Sequence, residues 1–252
     1  MTSVDAAATT RIALFGDSIA AGLGVKEHRY GALVAQSLQA TLVDFASTAA
    51  TVKDSLAAFE ADPRTVDIAL IAHGITEAIL RPEVSRFSRL PRRWRRPGWM
   101  DPRPYYSTRL HRRVSERIES SLRWRIKNLL IRRGGAIQFV SPDDYADALD
   151  VLVRLLGRHG CGQIFILEPT HISERFFPGS NEAMLHYATV ARARVSGVTW
   201  IRTRSAVREE AHYFLDDFHP NREGHQAMAS LITKIILGQS EVNQSFSNGG
   251  GL

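Results

Sequence analysis

The chain has 252 residues, 44% of them apolar, which is enough to bury one sizeable core without disulfide or metal staples. Its single cysteine, Cys161, excludes an intramolecular disulfide framework and reads as a small packing residue rather than a nucleophile. The net charge of +6 is unevenly spread: residues 81–133 carry 17 Arg or Lys against 4 Asp or Glu, so a segment of +13 is set into a remainder of −7.

Met1 to Thr10 lacks the basic and apolar regions of a leader, and no apolar run approaches the roughly 18 residues of a membrane span, so the expected location is cytoplasmic. In chain order, Ile12–Phe15 reads as a buried first strand that ends in a tight turn at Gly16. A helix follows over 30–39, strands over 41–46 and 67–72, and a helix over 52–60 between those strands. Beyond the basic segment, Ser141-Pro142-Asp143-Asp144 supplies an N-cap, a proline for the first helical position and first-turn acids, which predicts a helix to about Arg158, stopped at Gly160. A strand over 163–167, a helix over 180–195, a short strand over 198–201 and a closing helix over 221–237 complete the pattern. This alternation specifies an α/β fold with a parallel sheet covered by helices on both faces. Residues 1–238 form its domain, and the Ser, Asn and Gly-rich 239–252 read as a disordered tail.

The basic segment, about 81–135, reads as an insertion. Pro82, Pro91, Pro97, Pro102 and Pro104, with Trp94 and Trp99, mark an irregular stretch. Leu110, Val114, Ile118, Leu122, Ile126 and Leu129 or Leu130 then recur at helical spacing, predicting a helix over 105–133 that packs an apolar stripe on the body and ends at Gly134-Gly135.

Two clusters carry chemistry. Ser18 directly follows Gly16-Asp17 at the carboxyl end of the first strand, where open α/β sheets place their ligands. In Asp216-Asp217-Phe218-His219-Pro220-Asn221 an acid stands three residues before a histidine, a spacing that lets a carboxylate orient one imidazole nitrogen while the other faces a hydroxyl.

The blocks GDSIAAG and DDFHPNREGHQAMA, about 200 residues apart, resemble the first and last signature blocks of the SGNH, or GDSL-like, hydrolase family. The resemblance spans the chain apart from the insertion and tail. It implies a flavodoxin-like three-layer α/β/α sandwich and an esterase with Ser18 as nucleophile, His219 as base and Asp216 as the orienting acid, with Asp217 second for that role. Asp17 then holds the turn. In the second block Ala49 stands where the family has a glycine, so its amide, with that of Ser18, would form the oxyanion hole. In the third, Gly74-Ile75-Thr76-Glu77 replaces the usual Gly-x-Asn-Asp, which leaves the Thr76 hydroxyl or His73 to replace the asparagine donor.

The expected substrate is an acyl ester, acetyl included, of a sugar or other small metabolite. An acyltransferase using the same acyl-enzyme, and a non-catalytic module docking an anionic partner, are the alternatives. Because the insertion leaves the fold after the third block, it is placed to act as a lid, with Arg92, Arg93, Arg95 and Arg96 recognising a phosphate or carboxylate of the substrate. Clustered arginines interleaved with aromatics also suit an acidic carrier protein or peripheral contact with acidic lipids. No nucleic-acid motif appears, and the acidic body offers no second basic surface. His111, His159, His171, His186, His212 and His225 read as ordinary residues, and neither a metal nor a cofactor is called for.

Overall fold

The computed structural model describes residues 9–83, 85, 91–96 and 98–248, with side chains to 239 in the last helix. Strand β1 (Arg11–Gly16) pairs in parallel with β2 (Thr41–Asp44) on one side and β3 (Ile68–Ala72) on the other. Beyond β3 lie β6 (Gln163–Leu167) and β7 (Thr199–Ile201), giving the all-parallel order β2-β1-β3-β6-β7. The central strands are apolar on both faces because helices cover both. Helix α1 (Tyr30–Ser37) packs with α7 (Arg222–Asn248), whereas α2 (Val52–Ala61), α5 (Pro142–Arg158) and α6 (Ser180–Arg194) form the other group. This is the flavodoxin-like α/β/α sandwich expected from the sequence.

Local chemistry fixes the helix starts. Thr51 and Asp54 cap α2 reciprocally, through Asp54 N to Thr51 Oγ1 at 3.4 Å and Thr51 N to Asp54 Oδ2 at 2.8 Å. Ser141 Oγ accepts from Asp144 N at 3.1 Å, with Pro142 following in the first turn of α5.

A two-stranded antiparallel ribbon, β4 (Arg81–Pro82) with β5 (Ala136–Ile137), closes the base of the insertion; nothing in the strand-poor sequence around it announces this pair. The four-residue helix α3 (Ile75–Ala78) leads into it from β3. Within the insertion, α4 spans Leu110–Gly134, so the residues 105–109 assigned to this helix from sequence lie before it.

Two further expectations are corrected. Helix α7 does not stop at 237 but runs through Gly238 to Asn248. One glycine costs a helix only about 1 kcal/mol, and no proline follows to break it. The apolar stripe of α4 does not pack on the body: Leu110, Val114, Ile118, Leu122 and Leu129 are exposed, and the buried side chains of this helix are Ser120, Arg123, Lys127 and Asn128. Those polar groups find partners: Lys127 Nζ bonds Asp101 Oδ1 at 2.6 Å, Asn128 Nδ2 donates to Arg175 O at 3.0 Å, and the Arg123 guanidinium lies 3.6 Å from the Trp99 ring centroid.

Candidate active site

In a sheet of order 2-1-3-4-5 the chain departs in opposite directions from β1 and β3, which opens a crevice at their carboxyl ends. Gly16 pairs with Ala72 at those ends, so the loop bearing Ser18 and the one bearing Thr76 emerge side by side. Only glycine fits at position 16, because a Cβ there would lie 2.5 Å from the Ala20 Cβ and 2.9 Å from the Ala72 carbonyl. A third loop is tied to the same edge by Ser47 N donating to Gly16 O at 3.0 Å, and it carries Ala49.

The fourth contributor arrives from the far end of the chain. Asn221 caps α7, its Oδ1 accepting from Glu223 N and Gly224 N at 3.0 and 3.1 Å. Its Nδ2 reaches back to Tyr213 O at 3.1 Å, and Phe214 N donates to His219 O at 2.9 Å, so the turn that presents His219 is pinned at both ends.

Side chains from these loops form one chain of hydrogen bonds. Ser18 Oγ lies 3.0 Å from His219 Nε2, and His219 Nδ1 lies 2.6 Å from Asp216 Oδ2. Asp216 is buried, and its Oδ1 accepts from the amides of Phe218 and His219 at 3.2 and 3.1 Å. A carboxylate held in this way is placed to accept the Nδ1–H of His219, which leaves Nε2 to accept from the serine hydroxyl. Asp217 takes no part: the turn places its backbone at φ 47°, and its carbonyl accepts from Ser173 N. Burial pushes its carboxyl upward, with Glu210 and Asp216 adding to the shift.

The residues between the end blocks fall into place differently. Ala49 has φ 61°, the left-handed conformation that a glycine would adopt freely, so the backbone path is kept despite the side chain. Among the described residues nothing accepts a hydrogen bond from the amides of Ser18 or Ala49, and both residues line the same cleft. Thr76 also lines it, but its hydroxyl donates to Asp17 Oδ2 at 3.1 Å. Asp17 Oδ1 in turn accepts from Ile19 N at 3.0 Å, so this aspartate does hold the turn. Burial raises its carboxyl pKa, against the pull of the Ile19 amide, the Thr76 hydroxyl and His219.

His73 points elsewhere. Its Nε2 bonds Ser55 Oγ at 2.8 Å inside the core, and it is absent from the residues lining the cleft. Burial holds this imidazole down at about 3, so it is neutral. Neighbouring Glu77, completely buried, accepts from Val52 N and Gly74 N at 2.7 and 2.9 Å and is raised by burial to about 7. Cys161 is partly buried, and burial raises its thiol to about 11, which removes nucleophilic character.

The open cleft over Ser18 and His219, about 890 Å³ with the solvent space at its mouth included, is walled in part by the insertion, through Arg81, Gly98, Asp101, Pro102 and Pro104. An annex of about 420 Å³ shares Arg81, Gly98, Asp101 and Phe139 with it and adds Arg95, Arg96, Trp94 and Lys127. Of the four arginines singled out from the sequence, Arg95 and Arg96 therefore border the annex. Arg92 and Arg93 line neither space, Arg93 instead lying 5.4 Å from the Trp99 ring centroid. Arg81 was missed, although its place directly after the third block could have marked it. It stacks 3.8 Å from the Phe139 centroid and donates through Nη1 to Thr76 O and Ile79 O at 2.8 and 3.1 Å.

Residues 14–227 match the profile of the GDSL-like Lipase/Acylhydrolase family. The chain belongs to that family. Membership makes it a member of a group of hydrolases that act on esters. Its fold is similar to that of Axe2, an acetylxylan esterase from Geobacillus stearothermophilus, at 18% identity over 89% of this chain and 93% of that one, with TM-score 0.53. It is likewise similar to LAE5, an α/β hydrolase from the Lake Arreo metagenome (19% identity, 90% and 94% covered, TM-score 0.56). A G-D-S-L lipolytic protein from Veillonella parvula gives 13% identity, 90% and 98% coverage, and TM-score 0.53. No curated protein matches the chain. Among the described residues no helix is long and apolar enough to cross a membrane.

Proposed function

We propose that the protein is a serine esterase that removes an acyl group, acetyl being the simplest, from a small hydroxylated metabolite bearing an anionic group. The observation that carries this reading is the unbroken chain from Ser18 Oγ through His219 to Asp216, at 3.0 and 2.6 Å, opening on a cleft. His219 Nε2 takes the Ser18 proton as Oγ attacks the ester carbonyl, and the amides of Ser18 and Ala49 receive the oxyanion. The imidazolium then gives its proton to the departing alcohol, leaving an acyl-serine. Water, deprotonated by His219, attacks that ester, and Ser18 recovers its proton as the acid leaves.

The anionic portion of the substrate is supported by the annex, whose lining gathers the guanidinium groups of Arg81 and Arg96 beside Lys127, the last paired with Asp101. Two donors of that lining, Arg81 Nε and the Trp94 indole N–H, have no acceptor among the described residues. A phosphate or carboxylate would supply one. Hydrolysis of a chromogenic acetate ester by the wild type, and its loss in Ser18→Ala, tests the reading; equal turnover by both proteins would overturn it.

A further inference from the structure

Helix α4 is amphipathic the wrong way round for a globular protein. Its inward face is polar, with Ser120, Arg123, Lys127 and Asn128 buried, while Leu110, Val114, Ile118, Leu122 and Leu129 are 76, 50, 65, 54 and 43% exposed. A surface helix ordinarily does the reverse, because burying apolar area is what holds it in place. Five aliphatic side chains in water along a helix of 25 residues, about 37 Å, form a band that another apolar phase must cover.

The charges on the same helix say which phase. Arg112, Arg113, Arg117, Arg125, Arg132 and Arg133 are exposed, and none pairs with a carboxylate among the described residues. The two acids of α4 are drawn away from this face. Glu116 accepts from Ser107 N and faces Arg103, and Glu119 pairs with Arg103 and Arg123. What remains outward is apolar and cationic, apart from His111 and Ser115. A second copy laid on this stripe would set arginine against arginine. An anionic bilayer meets both features, since aliphatic side chains sink below the headgroups while guanidinium groups stay at the level of the phosphates.

We infer that α4 is a membrane-docking helix by which the protein lies on an anionic lipid surface, with its apolar stripe inserted and its arginines on lipid phosphates. The docked helix stays coupled to the cleft, because Lys127 on its inner face holds Asp101, a residue of the cleft wall. The docking stands whether or not Ser18 is the nucleophile.

The test is co-sedimentation of the full chain with vesicles of phosphatidylcholine alone or with about 30% phosphatidylglycerol. Wild type is expected to bind the anionic vesicles, to be released by high salt, and to ignore the neutral ones. The double variant Ile118→Asp/Leu122→Asp, at exposed positions that should leave melting and small-ester turnover unchanged, is expected to lose on the order of tenfold in partitioning. Arg117→Gln/Arg125→Gln should weaken binding without touching the stripe. The inference is overturned if wild type does not bind anionic vesicles. Unchanged partitioning of the aspartate variant would reduce the contact to surface adsorption and also overturn it. So would a concentration-dependent dimer abolished by the same aspartates, because the stripe would then be an interface between copies.

Discussion

The Thr76 hydroxyl gives its only proton to Asp17 Oδ2 at 3.1 Å, and this bond decides how the altered third block works. A hydroxyl so engaged cannot also donate to an oxyanion, so Thr76 secures the carboxylate that shapes the nucleophile turn. Thr76→Val is therefore expected to cost about 1–2 kcal/mol of stability, since it leaves buried Asp17 short of a donor. Its kcat should fall less than about tenfold, compared with the roughly 10²- to 10³-fold loss of an oxyanion donor. Melting and steady-state kinetics on one ester separate the two roles.

Ala49 sits at φ 61°, where an L side chain costs about 1–2 kcal/mol. Ala49→Gly keeps the amide and removes the strain, although glycine's freedom in the unfolded chain offsets part of the gain. A rise of roughly 0.5–1 kcal/mol in unfolding free energy, with kcat changed by no more than a few-fold, is the expected outcome of chemical denaturation and an ester assay. A fall in stability would show that the methyl group packs usefully there.

His225, read from the sequence as an ordinary helical histidine, is buried on α7, and its Nδ1 accepts from Tyr30 N at 3.1 Å. Burial lowers its pKa to about 4, with His219 and Arg29 adding to the shift. The native state thus binds fewer protons than the unfolded chain between about pH 4 and 6.5, so the contribution to stability is complete above about 6.5 and is lost as pH falls toward 4. His225→Gln retains an acceptor without titrating. The stability advantage of wild type over this variant, measured by urea unfolding, should shrink by on the order of 3 kcal/mol across that window; a pH-independent difference would contradict the assignment.

Arg95 and Arg96 border the annex, whereas Arg92 and Arg93 do not. Arg95→Gln/Arg96→Gln should raise KM severalfold for an acetyl ester of a sugar phosphate and leave that for 4-nitrophenyl acetate nearly unchanged. Arg92→Gln/Arg93→Gln should alter neither. Equal effects of the two pairs would make the insertion's charge diffuse rather than a site.

Much of this was legible in the sequence because it is local. The run Ile12–Phe15, the Ser141-Pro142 start and the two end blocks each carry their own structural instruction within a few residues. The phase of the α4 stripe was legible too, but its direction was not. Periodicity places side chains on one face without saying what faces the body, and here Lys127 and Arg123 are drawn inward by Asp101 and Trp99, more than 20 residues upstream. The same limit hid the fates of His73 and Thr76, whose partners Ser55 and Asp17 lie on other elements. Arg81 gained its place in the cleft from a ribbon of two residues per strand, too short to have a pattern.

The central claim is that Ser18, activated by His219, is the nucleophile, and covalent labelling reads this without knowledge of the substrate. A fluorophosphonate probe is expected to modify wild type at Ser18, identified by mass spectrometry of the peptide, to react far more slowly with Asp216→Asn, and to leave Ser18→Ala unlabelled. Labelling of Ser18→Ala at the wild-type rate, or of wild type at a residue other than Ser18, would contradict the account.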